Sequence, residues 1–179
     1  MAGPVVAAAV IWPKELFCID IIDSKLTKKK ERPFLVDFIN KNALAIGIGI
    51  VSPEKIDEIN ILNASILAMH IALDNINENF DRLLIDGNRF KPYKEKTHHC
   101  IIKGDSKFIS IAAASIIAKY KRDEIMLEYH YKYPEYGFDK NMGYPTLFHR
   151  NALLKYSYTD IHRKTFKHVL PSNQLSLFK

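Results

Sequence analysis

Cysteine and glycine are scarce in this sequence of 179 residues, which has two of the first and seven of the second. Cys18 and Cys100 lie far apart, outside any metal-ligand spacing, and they are too few for a disulfide framework. We therefore expect a reducing compartment, the cytoplasm. Gly47-Ile48-Gly49 has no third glycine after it, so a dinucleotide-binding loop is not predicted.

Long apolar runs and a surplus of acidic residues are missing as well. No run reaches the roughly 20 apolar residues that cross a bilayer, and Trp12-Pro13-Lys14 ends the apolar start of the chain too soon for a signal peptide. We therefore expect no membrane contact. Basic residues outnumber acidic ones by 26 to 20, for a net charge of +6. This excess favours a polyanionic partner, nucleic acid first, although charge alone does not establish binding.

Hydrophobic residues make up 47% of the chain and charged residues 26%, the balance of one domain with a sizeable core. Compact or alternating apolar runs predict strands over residues 4–11, 43–51, 83–85 and 100–102. Polar segments with helical periodicity separate these runs. Because strands alternate with helices, the predicted class is α/β.

Capping residues and periodicity predict where the helices begin. Ser52-Pro53-Glu54 has a capping serine, a proline at the first position and an acid in the first turn, which is typical of a helix start. Longer helices are predicted over residues 109–131 and 145–156, with Thr146 near the start of the second. The remaining helical signals are an apolar face at Leu62, Ile66, Met69 and Leu73, and a short helix carrying Phe34, Leu35 and Phe38 after a Thr27 cap.

Two predicted strands end in the same way, with a carboxylate beside a glycine, at Asp86-Gly87 and at Gly104-Asp105. Strand ends are where sites assemble in open α/β sheets. If the two strands are neighbours, the two carboxylates repel each other and favour a cation between them, and their hard oxygens suit magnesium or manganese. In a basic protein such a pair points to two-metal phosphodiester chemistry. The alternative is a simple turn at Asp86 and a helix cap at Asp105.

Longer strings follow one another along nearly the whole chain. They are Ala2-Gly3-Pro4-Val5-Val6-Ala7-Ala8-Ala9-Val10, Asp23-Ser24-Lys25, Gly47-Ile48-Gly49, Glu58-Ile59-Asn60-Ile61-Leu62-Asn63-Ala64, Ile85-Asp86-Gly87-Asn88, Lys103-Gly104-Asp105-Ser106-Lys107, Ile111-Ala112-Ala113-Ala114-Ser115-Ile116-Ile117-Ala118-Lys119, Arg122-Asp123, Gly143-Tyr144-Pro145-Thr146 and Ile161-His162-Arg163. In this order they resemble ribonuclease HII, the bacterial type 2 ribonuclease H. The resemblance implies a ribonuclease H-like mixed sheet flanked by helices, with a helical C-terminal part.

The resemblance also implies an activity. The family consists of endonucleases, hydrolases that cut the RNA strand of RNA–DNA hybrids, including single ribonucleotides embedded in duplex DNA, in replication and ribonucleotide excision repair. It uses four carboxylates and two divalent metal ions, Mn²⁺ or Mg²⁺, and a water attacks the phosphorus in line to leave a 3′-hydroxyl and a 5′-phosphate. The third and fourth carboxylates correspond to Asp86 and Asp105, the predicted catalytic residues and metal ligands. Asp123 is a further candidate, with a structural pairing to Arg122 or Lys119 as the alternative.

Nucleic-acid contacts are predicted for four other residues. Tyr144 matches the family tyrosine that packs against the sugar at the RNA–DNA junction, where a ring can sense the 2′-hydroxyl. Packing within a turn is the alternative reading of Tyr144. Ser24, Lys25 and Lys103 are predicted contacts to backbone phosphates, which position a duplex without specifying its sequence. We expect no such role for the solvated lysines Lys28-Lys29-Lys30, the surface pair His98-His99, or His162, which we assign to structure.

The resemblance also implies a segment just upstream of the Ala2-Gly3-Pro4 string, with an Asp-Glu pair as the family's first two carboxylates and a Gly-Arg-Gly loop that reads the 2′-hydroxyl. The given sequence starts at that string and does not include this segment. We therefore expect residues 1–170 to be an N-terminally truncated catalytic domain without its first strand. A start codon assigned too late would explain this, and so would a true truncation. The alternative function is an inactive nucleic-acid-binding remnant.

The C-terminal residues 171–179 are predicted to be a tail with a binding motif of its own. Gln174-Leu175-Ser176-Leu177-Phe178 resembles the peptide with which bacterial replication and repair proteins bind the sliding clamp. Such peptides place a few apolar anchors in a preformed groove. The predicted anchors are Gln174, Leu175, Leu177 and Phe178. A tail packed on its own domain is the alternative, and we expect the protein to be a monomer.

Overall fold

The structure is a computed structural model, and it describes residues 1–22, 32–167 and 169. Its elements in chain order are β1 (Val5–Ile11), α1 (Ile19–Ile22), α2 (Arg32–Asn42), β2 (Ala45–Val51), α3 (Pro53–Asp74), β3 (Arg82–Asp86), β4 (Thr97–Ile101), a 3₁₀ turn (Gly104–Ser106), α4 (Ile109–Lys132), a second 3₁₀ turn (Pro134–Tyr136), α5 (Phe138–Asn141) and α6 (Leu147–Tyr156).

The strands and long helices lie where the apolar patterns predict them. The four predicted strands are β1 to β4, although β4 begins at Thr97 and ends at Ile101, slightly earlier than expected. The predicted helices over residues 109–131 and 145–156 are α4 and α6, and Thr146 caps α6 by accepting a hydrogen bond from the His149 amide. The α/β class is therefore confirmed. The Thr27 cap and the Lys28-Lys29-Lys30 run lie outside the described residues.

The described strands pair in two ladders. One joins β1 to β2, and the Leu44 amide donates to the Ile11 carbonyl at 2.9 Å, so the end of β1 lies beside the start of β2. The other joins β3 to β4 in parallel, with Asp86 opposite Ile101. Because parallel strands run in the same direction, their carboxyl ends lie at the same edge of the ladder.

Glycines in β2 allow α3 to lie directly on this strand. A Cβ at Gly47 would stand 2.0 Å from the Ala72 carbonyl oxygen, and one at Gly49 would stand 1.9 Å from that of Ala68. Ala68 and Ala72 are themselves fully buried. Small residues on both faces thus bring the strand and the helix backbone into contact, which is the structural reason for the Gly47-Ile48-Gly49 string.

The helix α3 begins as predicted but is not continuous. The Ser52 hydroxyl accepts from the Lys55 amide at 3.2 Å, the expected cap. Asn60 has a left-handed φ of 65° and interrupts the helix, and its Oδ1 accepts from the amides of Leu62 and Asn63, so it caps the segment that follows. Of the predicted apolar face, Ile66 and Leu73 are buried whereas Leu62 is exposed.

A helix with enough length and apolar composition to cross a membrane is present after all. Among the described residues α3 is the one that meets this test, because its apolar residues are interspersed with few charges. This helix contains no uninterrupted apolar run of about 20 residues, so the expectation drawn from such runs is not contradicted by it. Core helices of soluble proteins have the same length and composition, so the absence of membrane contact stays a prediction.

The chain divides into two compact units. One comprises residues 1–5, 51–65 and 121–179, and the other comprises residues 6–50 and 66–120. Each has its own apolar core. The first core includes Met126, Tyr136 and Phe138, and the second is built from Trp12, Ile21, Val36, Ile39, Ala112, Ala113, Ile116 and Ile117, with a further cluster of Leu73, Leu83, Ile85 and Tyr93.

Candidate active site

The predicted carboxylate pair lies at the carboxyl ends of two adjacent strands. Asp86 is the last residue of β3, and β4, its parallel partner, leads directly into Lys103-Gly104-Asp105. The Gly104 amide donates to Asp86 Oδ1 at 2.9 Å, and the Gly87 amide donates to the Ile101 carbonyl at the same distance. The condition set by the sequence, that the two strands be neighbours, is met. Asp105 thus directly follows the residue that binds Asp86.

Gly104 is tightly packed between α4 and the Asp86 carboxylate. A Cβ there would stand 2.6 Å from Ile111 Cδ1, at the start of α4, and 3.4 Å from Asp86 Oδ1. The preceding residue, Lys103, has a left-handed backbone with φ 55° and an exposed side chain. This turn presents the Lys103 side chain to solvent and the Gly104 amide to the Asp86 carboxylate.

The chemical character of this site is that of two carboxylates at a strand edge. Asp86 is exposed and Asp105 is half-buried. Hard carboxylate oxygens are the ligands that magnesium and manganese prefer, so the donor atoms fit a divalent metal in kind. Across residues 1–22, 32–167 and 169, no group of three or more histidine, cysteine, aspartate or glutamate side chains is placed to hold a metal ion.

Tyr144 belongs to the other unit, where its ring is exposed on an anchored turn. The side chain is 62% exposed, and the Arg122 guanidinium lies 5.2 Å from its ring centroid. Arg122 also donates to the carbonyls of Ala2 and Pro4. The turn is held by Asn141, a buried side chain that donates to the Tyr136 carbonyl and accepts from the Gly143 amide. An exposed ring on a fixed backbone suits contact with a partner molecule.

Two arginines of this unit bind the backbone of its first residues. Arg163 is buried and donates to the carbonyls of Gly3 at 2.9 Å and Pro4 at 3.1 Å. Burial, with the nearby charge of Arg122, lowers the pKa of Arg163 to about 10. Asp123, the secondary candidate, is half-buried on α4 beside Arg122. The contacts of Arg122 account for the Arg122-Asp123 string without assigning chemistry to Asp123.

A buried histidine pair lies directly behind Tyr144. His149 Nδ1 is 3.0 Å from the Tyr144 carbonyl oxygen, and its Nε2 is 3.0 Å from Nε2 of His162. The sequence identified His162 as structural and missed His149 altogether. His149 stands three residues after the Thr146 cap, on the first turn of α6, and this position after the Gly-Tyr-Pro-Thr string was the one available signal.

Both histidines are held in the neutral form. Burial lowers the pKa of His162 to about 3, and the nearby His149 and the chain's amino group act in the same direction. Burial likewise lowers the pKa of His149, opposed by the hydrogen bond to the Tyr144 carbonyl. A buried ring without a charged partner is more stable uncharged.

The remaining predicted site residues are distributed as follows. Lys103 lies in the same unit as Asp86 and Asp105, whereas Tyr144 and Asp123 belong to the other unit. His98 and His99 lie on β4, half-buried and exposed respectively, which agrees with their assignment to the surface. Outside the described residues lie Ser24, Lys25, Gln174, Leu175, Leu177 and Phe178.

Comparison with known proteins places the chain among ribonucleases. The family model for ribonuclease HII matches residues 1–169. The ribonuclease HII of Christiangramia forsetii is 53% identical over 171 residues, covering 96% of this chain and 86% of the relative. That of Bacteroides thetaiotaomicron is 51% identical over 177 residues, covering 99% and 88%.

Two solved structures from archaea have the same fold. The ribonuclease H2 of Pyrococcus horikoshii matches with a TM-score of 0.82 at 25% identity, covering 99% of this chain and 92% of that one. The ribonuclease HII of Archaeoglobus fulgidus, solved in complex with PCNA, matches with a TM-score of 0.72 at 22% identity, covering 98% and 92%. These matches confirm the predicted ribonuclease H-like α/β fold.

Replacing Gly104 tests the packing that holds the site. We expect Gly104→Ala to lower the free energy of unfolding by about 1–3 kcal/mol, because the added methyl group overlaps Ile111 Cδ1. Ile111→Val removes that atom, so the double variant should lose less stability than the two single changes added together. Urea unfolding of the four proteins measures this coupling. Strict additivity would show that the two side chains do not compete for space.

The histidine pair predicts how stability depends on pH. An unfolded chain leaves the pKa of a histidine near its ordinary value of about 6.5, whereas burial lowers the pKa of His162 in the folded chain to about 3. Below pH 6.5 the unfolded state therefore binds more protons, and the free energy of unfolding falls as the pH decreases toward 3, with a contribution from His162 of up to about 1.4 kcal/mol per pH unit. Urea unfolding at pH 7.5, 6.5 and 5.5 should show that the free energy of unfolding depends less steeply on pH in His162→Gln than in the wild type. Equal slopes would contradict the assignment.

Proposed function

Because the chain belongs to the ribonuclease HII family, an endoribonuclease family, we propose that it cuts the RNA strand of RNA–DNA hybrids, including single ribonucleotides embedded in duplex DNA. Hydrolysis of RNA in such hybrids is the activity of the family. The observation that carries the proposal to this chain is the placement of Asp86 and Asp105 at adjacent parallel strand ends, joined through the Gly104 amide.

In this proposal Asp86 and Asp105 would hold divalent metal, on which the family in general depends. Bound Mg²⁺ or Mn²⁺ would supply positive charge that stabilises the developing negative charge on the phosphate and lowers the pKa of water. The chain's own part is to fix the donors. The Gly104 amide orients Asp86 by binding one carboxylate oxygen, and the turn at residues 103–106 sets where Asp105 stands.

The other residues bind and orient the duplex. Lys103 is exposed at the same strand end and is suited to contact a backbone phosphate next to the cut. Ser24 and Lys25 are proposed for the same kind of contact. The exposed Tyr144 ring is proposed to pack against the sugar at the RNA–DNA junction, with Arg122 against the ring. Attack of water in line with the leaving oxygen then gives 3′-hydroxyl and 5′-phosphate ends.

A second function, nucleic-acid binding without cleavage, is favoured by one observation. The part of the chain that the structure describes holds two carboxylates at the site rather than a cluster of three or more metal-binding side chains. Two carboxylates alone bind metal more weakly than a larger set, because each contributes part of the compensating charge. Cleavage and binding therefore have to be measured separately.

Asp86→Asn separates the two functions. On duplex DNA with one ribonucleotide, in Mg²⁺ or Mn²⁺, we expect cleavage to fall by about 100-fold or more, since the amide removes a metal-binding charge. Binding in EDTA should be unchanged or tighter, because one negative charge facing the polyanion is gone. Asp81→Asn, the same chemical change at an exposed position just before β3, is the control.

Full cleavage by Asp86→Asn would remove Asp86 from the mechanism. Binding without cleavage by the wild type would favour the second function.

We also propose that residues 171–179 form a tail that binds the sliding clamp, and that the protein works as a monomer in the cytoplasm. The support is the pentapeptide Gln174-Leu175-Ser176-Leu177-Phe178, whose apolar residues are typical of a short anchor peptide. One structural neighbour, from Archaeoglobus fulgidus, was solved bound to PCNA, a sliding clamp. Recruitment to replicating DNA would follow from this contact.

Deleting residues 174–179 tests the tail. We expect clamp binding, measured by surface plasmon resonance, to disappear, because the apolar anchors supply most of the binding energy of such peptides. Affinity for a short ribonucleotide-containing duplex should be unchanged. Leu177→Ala with Phe178→Ala should reproduce the loss, while Ser176→Ala should not. Undiminished clamp binding after the deletion would refute the proposal.

A further inference from the structure

The protonation states of the two buried histidines follow from one backbone group. The Thr159 amide donates to His162 Nδ1 at 3.0 Å, so this nitrogen carries no proton, and the Thr159 hydroxyl, 2.9 Å from the same nitrogen, donates to it as well. A neutral His162 then carries its proton on Nε2 and donates it to His149 Nε2, 3.0 Å away. His149 must in turn carry its proton on Nδ1, where it donates to the Tyr144 carbonyl at 3.0 Å. We call this chain of donors the histidine relay.

The relay is closed off from water and has one arrangement. His149 is 0% exposed and His162 is 1% exposed. The Phe138 ring meets His149 edge-on at 5.2 Å between centroids, and the Tyr136 ring lies 4.9 Å from His162. Every ring nitrogen of the pair has a hydrogen-bond partner. In a buried site with all polar atoms satisfied, rotating one ring would leave its neighbour unpaired, at the full cost of desolvation.

The outer end of the relay is the peptide of an exposed residue. The Tyr144 carbonyl accepts from His149 and also from the Thr146 amide at 2.9 Å, and the Tyr144 amide donates to the Asn141 carbonyl at 2.8 Å. The backbone is thus held on both sides while the ring projects outward. If these two residues only filled the core, no hydrogen bond to the Tyr144 carbonyl would be needed. Apolar side chains could then fill the same space without the free-energy cost of removing two imidazoles from water.

We propose that His149 and His162 are positioning residues, whose relay from the Thr159 amide fixes the Tyr144 peptide and so aims its ring at the sugar of a ribonucleotide-containing duplex. This inference rests on the sugar contact proposed above for Tyr144. Neither histidine touches the nucleic acid. Their contribution is to reduce the freedom of the turn before binding, so that less has to be ordered in the complex.

The hydrogen-bond directions are tested in the wild-type protein by ¹⁵N chemical shifts of the histidine rings at pH 7. We expect both rings to be neutral, with the proton of His162 on Nε2 and that of His149 on Nδ1. A charged ring, or the opposite tautomer at either residue, would overturn the relay. This measurement needs neither metal nor activity.

A matched pair of variants tests the positioning role. In His149→Asn the side-chain amide stands about where Nδ1 was and can still donate to the Tyr144 carbonyl. In His149→Gln it stands about where Nε2 was and can pair only with His162. The readout is the ratio of affinities for duplex DNA with and without one ribonucleotide, measured in EDTA. We expect His149→Gln to lower this affinity ratio by about ten-fold, because the hydrogen bond to the Tyr144 carbonyl is lost. We expect His149→Asn, which keeps that hydrogen bond, to leave the ratio unchanged.

Two further results separate the inference from the function on which it rests. If Tyr144→Ala lowers the ratio while folded His149→Gln does not, the positioning role is overturned and the sugar contact stands. If Tyr144→Ala leaves the ratio unchanged, the sugar contact fails and the positioning role falls with it. Equal losses in the Asn and Gln variants would identify the pair as packing alone. Thermal melting curves monitor folding in each case.

Discussion

The parallel register of β3 and β4, with Asp86 opposite Ile101, is the constraint on which the candidate active site depends. Because the strands end together, the turn after β4 lies beside the Asp86 carboxylate, and the Gly104 amide can bind it. Glycine at this position leaves room for both Ile111 and the carboxylate. A shift of the register by one residue would turn the side chains of β3 to the opposite face and separate the two acidic residues.

The second part of the candidate machinery depends on buried polar groups instead. Tyr144 is exposed, but the turn beneath it is held by Asn141, His149 and the relay that ends at Thr159. Strand pairing sets the position of the carboxylates through repeated backbone hydrogen bonds, whereas single side-chain hydrogen bonds position this ring. Such single bonds are decisive because they lie out of water, where an unpaired donor or acceptor is costly.

Much of the fold was predictable from local patterns. Apolar runs located β1 to β4, and Thr146 located the start of α6, because burial and helix capping each act over a few neighbouring residues. The interruption of α3 at Asn60 was not predicted, since the apolar face that runs from Leu62 to Leu73 lies wholly after it and reports only on the following helical segment. His149 was overlooked for a related reason: its partner His162 is thirteen residues away, beyond the end of α6.

The sequence by itself determined the α/β class, the two carboxylates beside glycines that follow apolar strand segments, and the family to which the chain belongs, because each is a pattern of contiguous residues. Tertiary structure alone decided that β3 and β4 are parallel neighbours, that Gly104 binds Asp86, and that two neutral histidines stand behind Tyr144. The reason is physical. Register, close packing and the tautomer of a buried ring depend on groups that only folding brings together, and on the water that folding removes.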